Sequence, residues 1–392
     1  MSSRIDAFLF SLKREIALFA RSRIFLLLSL LLPIFSFFLF FALFGNGVAR
    51  ELPVALYDAD RTPLSRKLAG MIDATPTVAI AMHCSSLAEA RVLLEKGRVE
   101  AVVEIPHYLE KSVLRGDPID VSLQVSGLSI IKGSLITRDI RTAVATFSSG
   151  IQIQSLVKRG MSPEVAYTRM MPVTFDKHIL FNPWLSYTFY LLPAFLSLML
   201  LMFVTLVTIF TVGVELKNGT AGAWLAGAGY HVSAALFGKL FPYTVIFSIL
   251  SVGMHTLTTF WAGVPLQGSA PMLFVSTFLL ITAYQSVGCV IVALSANMRL
   301  ALSLGGGYSV LAFSFSGLTF PAMAMDLPAR IAGNLFPFTH YLQIWMDQAL
   351  RGAAPHHSVG SLLVLVVFSL LFVLCLGRLK TVLTDEKYWG AS

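Results

Sequence analysis

The residues best suited to do chemistry or transmit a signal lie in a short polar loop between two apolar stretches. They are Glu215, Lys217, Asn218, Gly219, Thr220 and, further along the chain, Lys239. Asn218-Gly219 predicts a turn, and Thr220 predicts a side-chain cap for a short helix that begins at Ala221. Such a loop has no catalytic chemistry, but a charged helix at a membrane surface can transmit the movement of another protein that binds it. The alternative is an ordinary capped loop.

Nucleotide-binding motifs are missing from the sequence. The nearest approach to the phosphate-binding GxxxxGK[ST] loop is Gly238-Lys239, but Leu240 follows it and Ser233 stands at the first glycine position. Gly227-Ala228-Gly229 begins a dinucleotide-type pattern, yet Val232 replaces its last glycine. We therefore predict no nucleotide site in this chain.

Catalytic and metal-binding patterns are missing as well. The eight histidines are scattered, and the adjacent pair His356-His357 lacks the spacing that places two ligands on one helix face. The three cysteines are far apart in the sequence, and no GxSxG or HExxH motif occurs. We predict no catalytic residue, no cofactor and no metal, and hence no enzymatic activity of its own.

Apolar spans of about 20 residues dominate the chain, which is the length that an α-helix needs to cross a bilayer. Hydrophobic residues make up 56% of the sequence and charged residues only 13%, which excludes an ordinary soluble protein. The net charge is +8, but the basic residues form no dense run, so we expect no nucleic-acid partner. The six predicted spans are Ile24–Phe44, Leu191–Val212, Leu240–Phe260, Met272–Leu294, Leu300–Leu318 and Val359–Leu376.

The spans carry almost no charge in their middle portions, where His255 is the exception. Ion-driven carriers usually need buried acidic or basic relays inside the membrane. If the protein moves a substrate, we therefore expect the energy to come from a partner.

An insert of domain size separates the first span from the rest. It mixes charged residues with short β-like runs and helical stretches, which predicts an α+β domain. Its predicted strands are Leu52–Tyr57, Glu100–Ile105 and Ile119–Val125, and its predicted helices are Pro63–Ile72, Leu87–Lys96 and Ile130–Val157. The fold class predicted for the whole chain is an α-helical integral membrane protein with six transmembrane helices and an inserted α+β periplasmic domain.

An amphipathic helix is predicted before the first span. Phe8, Leu12, Ile16 and Phe19 recur at spacings of four, four and three, so they share one helix face. This face would lie on the cytoplasmic membrane surface or pack on the protein itself, and the two interpretations are compatible.

Basic residues indicate the orientation of the spans. Lys217, Lys239, Arg299, Arg378 and Lys380 all fall on one side of the six-span arrangement, and the opposite short loop from Ala262 to Pro271 has no charge. Because basic loops stay in the cytoplasm, both termini are predicted inside and the insert outside.

A broken segment lies between the last two spans. Pro321, Pro328 and Pro337 divide residues 319–352 into pieces too short to cross, which favours re-entrant or interfacial helices over an extracellular loop. The candidate residues of this segment are Phe320, Pro321, Pro328, Pro337, His340 and Tyr341.

These features together resemble an ABC type-2 exporter permease with a large periplasmic domain after the first helix. The similar parts are the layout, the Glu215 to Thr220 loop with Gly238-Lys239, the run from Phe315 through Phe320-Pro321 to Pro328, the stretch Pro337 to Tyr341, and Val54 to Asp60 with Pro63 to Arg66 in the insert. The insert departs from the pattern at Gln124-Val125-Ser126-Gly127, where similar proteins carry an aspartate and an asparagine.

The resemblance implies a division of the chain and a set of partners. The expected parts are an interface helix (1–23), the first transmembrane helix (24–44), a periplasmic domain (45–182), a five-helix block (183–380) with a coupling loop (213–230) and a re-entrant region (319–352), and a cytoplasmic tail (381–392). It also implies a bacterial inner-membrane location, separate cytoplasmic ABC ATPase subunits that hold ATP and Mg, a second permease copy or paralogue, and a periplasmic adaptor protein. The substrate class expected is amphiphilic or drug-like.

Two other functions remain open from the sequence alone. One is an ion-coupled secondary transporter, and the other is a non-transporting membrane sensor whose outer domain binds a ligand or partner.

Overall fold

A computed structural model describes residues 3–45, 47–170, 180–183 and 185–390. Contacts within the chain divide it into two units, one formed by Met1–Gly47 with Ser186–Ser392 and the other by Val48–Leu185. The predicted limits of the insert, 45 and 182, lie close to this division. In the first unit the chain opens with α1 (Arg4–Arg21) and α2 (Arg23–Phe44), the latter with a π-helical turn at Leu27–Leu31.

The second unit contains a four-stranded sheet covered by helices. Its elements are β1 (Leu52–Asp58), α3 (Pro63–Asp73), β2 (Val78–His83), α4 (Leu87–Glu95), β3 (Ala101–Ile105), α5 (Leu109–Arg115), β4 (Ser122–Val125), α6 (Ile130–Lys158) and α7 (Pro163–Met170). The strand order is β2-β1-β3-β4; β1 pairs parallel with β2 and β3, and β4 pairs antiparallel with β3. Apolar residues of β1, β3, α3 and α6 form its main core.

Sequence patterns predict most of these elements but miss three, namely β2, α5 and α7. The predicted strand Ile119–Val125 is paired only over Ser122–Val125, because its partner β3 offers a matching edge only from Ala101 to Glu104. Capping explains the clear start of α3, where Thr62 and Ser65 each accept a hydrogen bond from the other's backbone N–H.

The first unit continues with long apolar helices. They are α8 (Tyr187–Lys217), α9 (Ala221–Gly227), α10 (Val232–Trp261), α11 (Ala270–Ser295), α12 (Met298–Ser314), α13 (Leu327–Asn334), α14 (Pro337–Trp345) with a π-helical extension Met346–Arg351, and α15 (Pro355–Thr384). Within the described residues, α2, α8, α10, α11 and α15 are long and apolar enough to cross a membrane. Helix α12, with 17 residues, is shorter.

The two ends of this unit are each closed by contacts between distant parts of the chain. At one end, the N–H of Gly390 in the tail donates to the Leu216 carbonyl at the end of α8 (3.1 Å). At the other end, the N–H groups of Gln267 and Gly268, between α10 and α11, donate to the carbonyls of Ala349 and Gln348.

Helix α1 packs on α10 mainly through the face beside the apolar stripe of the sequence, although Phe8 and Phe19 of the stripe contact the rings of Phe241 and Tyr243. Its buried residues are Ala7, Ser11 and Glu15, whereas Ile16 is exposed and Phe8 is only partly buried. The helix therefore has a small and polar face toward the protein and leaves apolar side chains such as Ile5 and Phe10 exposed. Packing on the protein, one of the two interpretations, is observed, and the exposed apolar side chains fit the other.

Candidate functional site

Glu215 lies at the centre of a buried ion-pair network between α1, α8 and α10. Both oxygens of its carboxylate accept from the guanidinium of Arg14, Oε1 from Nη1 at 2.6 Å and Oε2 from Nη2 at 2.9 Å. This is the paired geometry in which Arg binds a carboxylate most strongly. The Thr220 hydroxyl also donates to Glu215 Oε2, so the loop after α8 is tied to the same carboxylate.

Lys239 connects Glu215 to a second carboxylate. Its Nζ lies 2.8 Å from Glu215 Oε1 and 2.6 Å from Oε2 of Glu15 on α1. The other Glu15 oxygen, Oε1, accepts from the Tyr243 hydroxyl at 2.8 Å. Since Lys239 and Tyr243 are four residues apart in α10, they lie on one helix face and both reach the same carboxylate.

Trp224 in α9 completes the network. Its indole Nε1 donates to the Ser11 hydroxyl at 2.9 Å, and its ring lies 4.9 Å from Lys239 Nζ, which is a cation–π distance. The short helix after the charged loop is thus bound to both α1 and α10.

The network is electrically balanced and largely buried. Two cations, Arg14 and Lys239, face two carboxylates, Glu15 and Glu215, and of these four only Arg14 is more than 1% exposed. Taking charges out of water is costly, and direct pairing with extra hydrogen bonds offsets the cost only while every partner is in place. The arrangement therefore holds three helices and a loop in one relative position.

Close helix approach makes this network possible. A Cβ on Gly238 would lie 2.3 Å from the Phe8 carbonyl oxygen of α1, a distance that real side chains do not reach. Glycine at this position, together with the small residues Ala7 and Ser11 on α1, lets the two helices approach until Glu15 and Lys239 meet.

The predicted loop residues divide into two groups. Glu215, Thr220 and Lys239 come together in the network, whereas Lys217 and Asn218 are exposed, and Gly219 has φ +66° as the predicted turn requires. The prediction that the Thr220 side chain caps the following helix is wrong. Its backbone is helical rather than extended and its hydroxyl donates to a carboxylate, which is a stronger acceptor than a neutral group.

Four network members, Arg14, Glu15, Ser11 and Tyr243, are missed by sequence reasoning. The apolar stripe of α1 predicts the face that meets a membrane, not the face that carries these residues. The signal that would have found Ser11, Glu15 and Tyr243 is the four-residue spacing of Ala7, Ser11 and Glu15, matched by Lys239 and Tyr243 in α10. Arg14 lies outside this spacing.

The predicted re-entrant residues do not join this network. Phe320, Pro321 and Pro328 are exposed, while Pro337, His340 and Tyr341 are buried. His340 Nε2 lies 3.1 Å from the Asn334 carbonyl, and the Tyr341 hydroxyl accepts from Ser197 on α8 at 3.3 Å. These contacts anchor α14 inside the helical unit.

The chain's tail covers the loop on its other side. The Trp389 ring packs on Gly222 of α9, where a Cβ would come within 2.7 Å of the ring. Next to it, Arg378 donates to the exposed Tyr388 hydroxyl at 3.2 Å, and this bond lowers the pKa of Tyr388. Among the described residues, no cluster of His, Cys, Asp and Glu has the geometry of a metal site.

Comparison with known families gives one match of nearly full length. The sequence model of the family described as ABC-2 family transporter protein matches residues 23–377. Among curated proteins, none is similar enough in sequence to this chain to count as a match.

Proposed function

Because the chain belongs to the ABC-2 family of transporter proteins and is therefore the membrane-spanning subunit of an ABC transporter, we propose that it exports an amphiphilic or drug-like substrate. The observation that supports coupled transport is the closed network joining the loop after α8 to α1 and α10. A subunit driven from outside needs a stiff connection between its driven loop and its spanning helices, and this network provides one.

Permeases of this family work with ATPase subunits and as dimers, and they are not themselves the ATPase. In the proposed complex, ATP and Mg bind to cytoplasmic partner chains, and a second copy or a paralogous permease completes the pathway. A periplasmic adaptor protein that docks on the insert is a further proposed partner.

The proposed topology has six spans in a bacterial inner membrane, with both termini inside and the insert in the periplasm. The tail contacts the end of α8, which places Leu216 and Gly390 on the same side of the membrane. The chain between them must then cross an even number of times. Helices α10, α11 and α15 alone would give three crossings, so a fourth is needed. The contact of Gln267 with Ala349 at the other end supports the same conclusion. Helix α11 leads away from that end, so another helix must bring the chain back to it before Ala349. Helix α12 is the sixth span in this proposal.

Force would enter at the exposed part of the coupling loop. Lys217 and Asn218 offer a polar surface to the ATPase, while Glu215, two residues away, is bound to Arg14 and Lys239. Movement of the loop would therefore carry α1 and α10 with it instead of merely bending the chain. We propose that this displacement opens the substrate pathway.

The test is purification of the permease with its native partners, followed by uptake of the amphiphilic dye rhodamine 6G into inverted membrane vesicles. We expect an ATPase to copurify, and uptake to require ATP and persist when a protonophore removes the proton gradient. Dye uptake at the same rate with and without ATP would overturn the proposal, as would a purified complex that contains no ATPase.

An ion-coupled carrier is the second candidate, because buried carboxylates inside a spanning unit are what such a carrier requires. Glu15 and Glu215 are buried, but they lie on α1 and at the loop end of α8, and each is paired with a cation. Dye uptake driven by an imposed proton gradient without ATP would favour this candidate.

A further inference from the structure

A groove lies between α10, α11 and α15, with Phe8 of α1 also in its wall. Its α10 residues run from Leu236 to Ile249, along the same turns that carry Lys239 and Tyr243. Its volume is about 460 Å³, within the range of small-molecule sites. Its walls are mostly aromatic and aliphatic, with Phe237, Phe241 and Ile249 from α10, Phe278 from α11 and Phe372 from α15. None of the described residues that line it carries a charge.

One side of the groove is polar. Gln285 of α11 lines it and is only 6% exposed, and its Oε1 accepts from the Thr244 hydroxyl at 2.9 Å. Its amide nitrogen Nε2 has no hydrogen-bond partner in the described part of the chain. The hydroxyl of Ser248, one turn further along α10, is likewise buried and unpaired among these residues.

Buried polar groups in proteins are nearly always hydrogen-bonded, because burial without a partner costs free energy. An acyl chain of the bilayer would fill the apolar walls but offers no acceptor to Gln285. An otherwise apolar occupant that carries an acceptor would satisfy both the walls and this nitrogen.

We propose that this groove binds an uncharged, largely apolar molecule that carries one carbonyl-type acceptor, such as a long-chain ketone or ester. Gln285 Nε2 would donate to that carbonyl and Ser248 would add a second donor. Phe237, Phe241 and Ile249 are exposed on a helix apolar enough to span a membrane, so the ligand would enter from the bilayer. The site does not depend on the ligand being exported.

The test uses the full-length permease in phosphatidylcholine nanodiscs and two photoreactive probes. One is a long-chain methyl ketone with a terminal diazirine, and the other is an alkane diazirine of the same length without the carbonyl. We expect the ketone to label α10 and α11 about fivefold more than the alkane, as one net hydrogen bond provides. Equal labelling by both probes would overturn the proposal and identify the groove as ordinary lipid-facing surface.

Variants locate the effect. Gln285→Leu should lower ketone labelling to the alkane level and leave alkane labelling unchanged, whereas Gln343→Leu, an exposed glutamine on α14, should change neither. Ser248→Phe should fill the groove and lower labelling by both probes. Ketone labelling that survives either Gln285→Leu or Ser248→Phe would contradict the assignment.

Discussion

Helix α10 carries two polar clusters on successive turns, and they differ in one respect. At Lys239 and Tyr243 the polar atoms that meet α1 and α8 are paired with one another. At Thr244 and Ser248 the polar atoms face a groove. Thr244 is paired there, but the Ser248 hydroxyl and Gln285 Nε2 have no partner in the described chain. The first cluster is complete within one chain, and the second is complete only with something added.

This difference predicts opposite responses to substitution. In a complete network, removing one member leaves another buried group unpaired, which is costly. In the cluster at the groove, removing an unpaired donor removes the free-energy cost of burying it. Stability measurements on single variants therefore distinguish the two clusters.

The largest effect is expected for Lys239→Met, which leaves Glu15 and Glu215 sharing a buried site without their common cation. Breaking a buried pair costs about 3–5 kcal/mol. Thermal unfolding of the purified protein in detergent measures the change. Lys217→Met, the same substitution at an exposed position, is the control and should change stability little.

Gly238→Ala should separate α1 from α10, because its Cβ would clash with the Phe8 backbone. Overpacking of this kind costs about 1–3 kcal/mol. Gly253→Ala in the same helix is the matched control, since no atom lies within 4 Å of its Cβ. If both variants unfold at the same temperature, the close contact of α1 with α10 is not important for stability.

A double-mutant cycle of Arg14→Gln and Glu215→Gln should give a coupling of about 1–3 kcal/mol, because the pair is partly buried and doubly bonded. The cycle for Lys132 and Glu100, a more exposed pair in the other unit, should give less than about 1 kcal/mol. Thermal unfolding of the four proteins in each cycle measures both. Equal couplings would refute the claim that burial strengthens the network.

The smallest effect is expected for Gln285→Leu without added ligand, from none to about 1 kcal/mol of stabilisation, because an unpaired buried amide is removed. The Thr244 hydroxyl, which donates to Gln285, keeps another acceptor in the Leu240 carbonyl. Thermal unfolding in detergent measures the change.

Gln348→Leu is the contrast, because both ends of the Gln348 amide are paired. Its Oε1 accepts from the Ser269 N–H at 2.9 Å, and its Nε2 donates to the Ser358 hydroxyl at 3.1 Å. We expect this substitution to cost about 1–3 kcal/mol. If Gln285→Leu and Gln348→Leu destabilise the protein equally, Gln285 is not unpaired.

Sequence patterns predicted the five apolar helices that are long enough to cross a membrane, because hydrophobic length is a local property. They also located Glu215, Thr220 and Lys239, which mark the polar ends of apolar stretches. They did not predict what these residues contact. Pairing of Glu215 with Arg14 joins positions 201 residues apart, and no periodicity within either helix contains that information.

The face of α1 shows the same limit. Its apolar stripe, with Phe8 and Ile16, is the feature that periodicity selects, yet the fully buried positions include those of Ser11 and Glu15. In a membrane protein an apolar face can meet lipid, so hydrophobicity does not identify the side toward the protein. The Gln285 groove could not be predicted from the sequence either. Whether a donor lacks a partner depends on how three helices pack together.

The central claim is that the network carries motion from the coupling loop to the spanning helices, and one ratio tests it directly. We would measure rhodamine 6G transported per ATP hydrolysed by the assembled complex, with Glu215→Gln against Glu386→Gln, an exposed carboxylate in the tail. Loss of the charged pairs should lower the ratio about tenfold in Glu215→Gln while hydrolysis continues, and Glu386→Gln should match the unsubstituted protein. An unchanged ratio in Glu215→Gln would contradict the account.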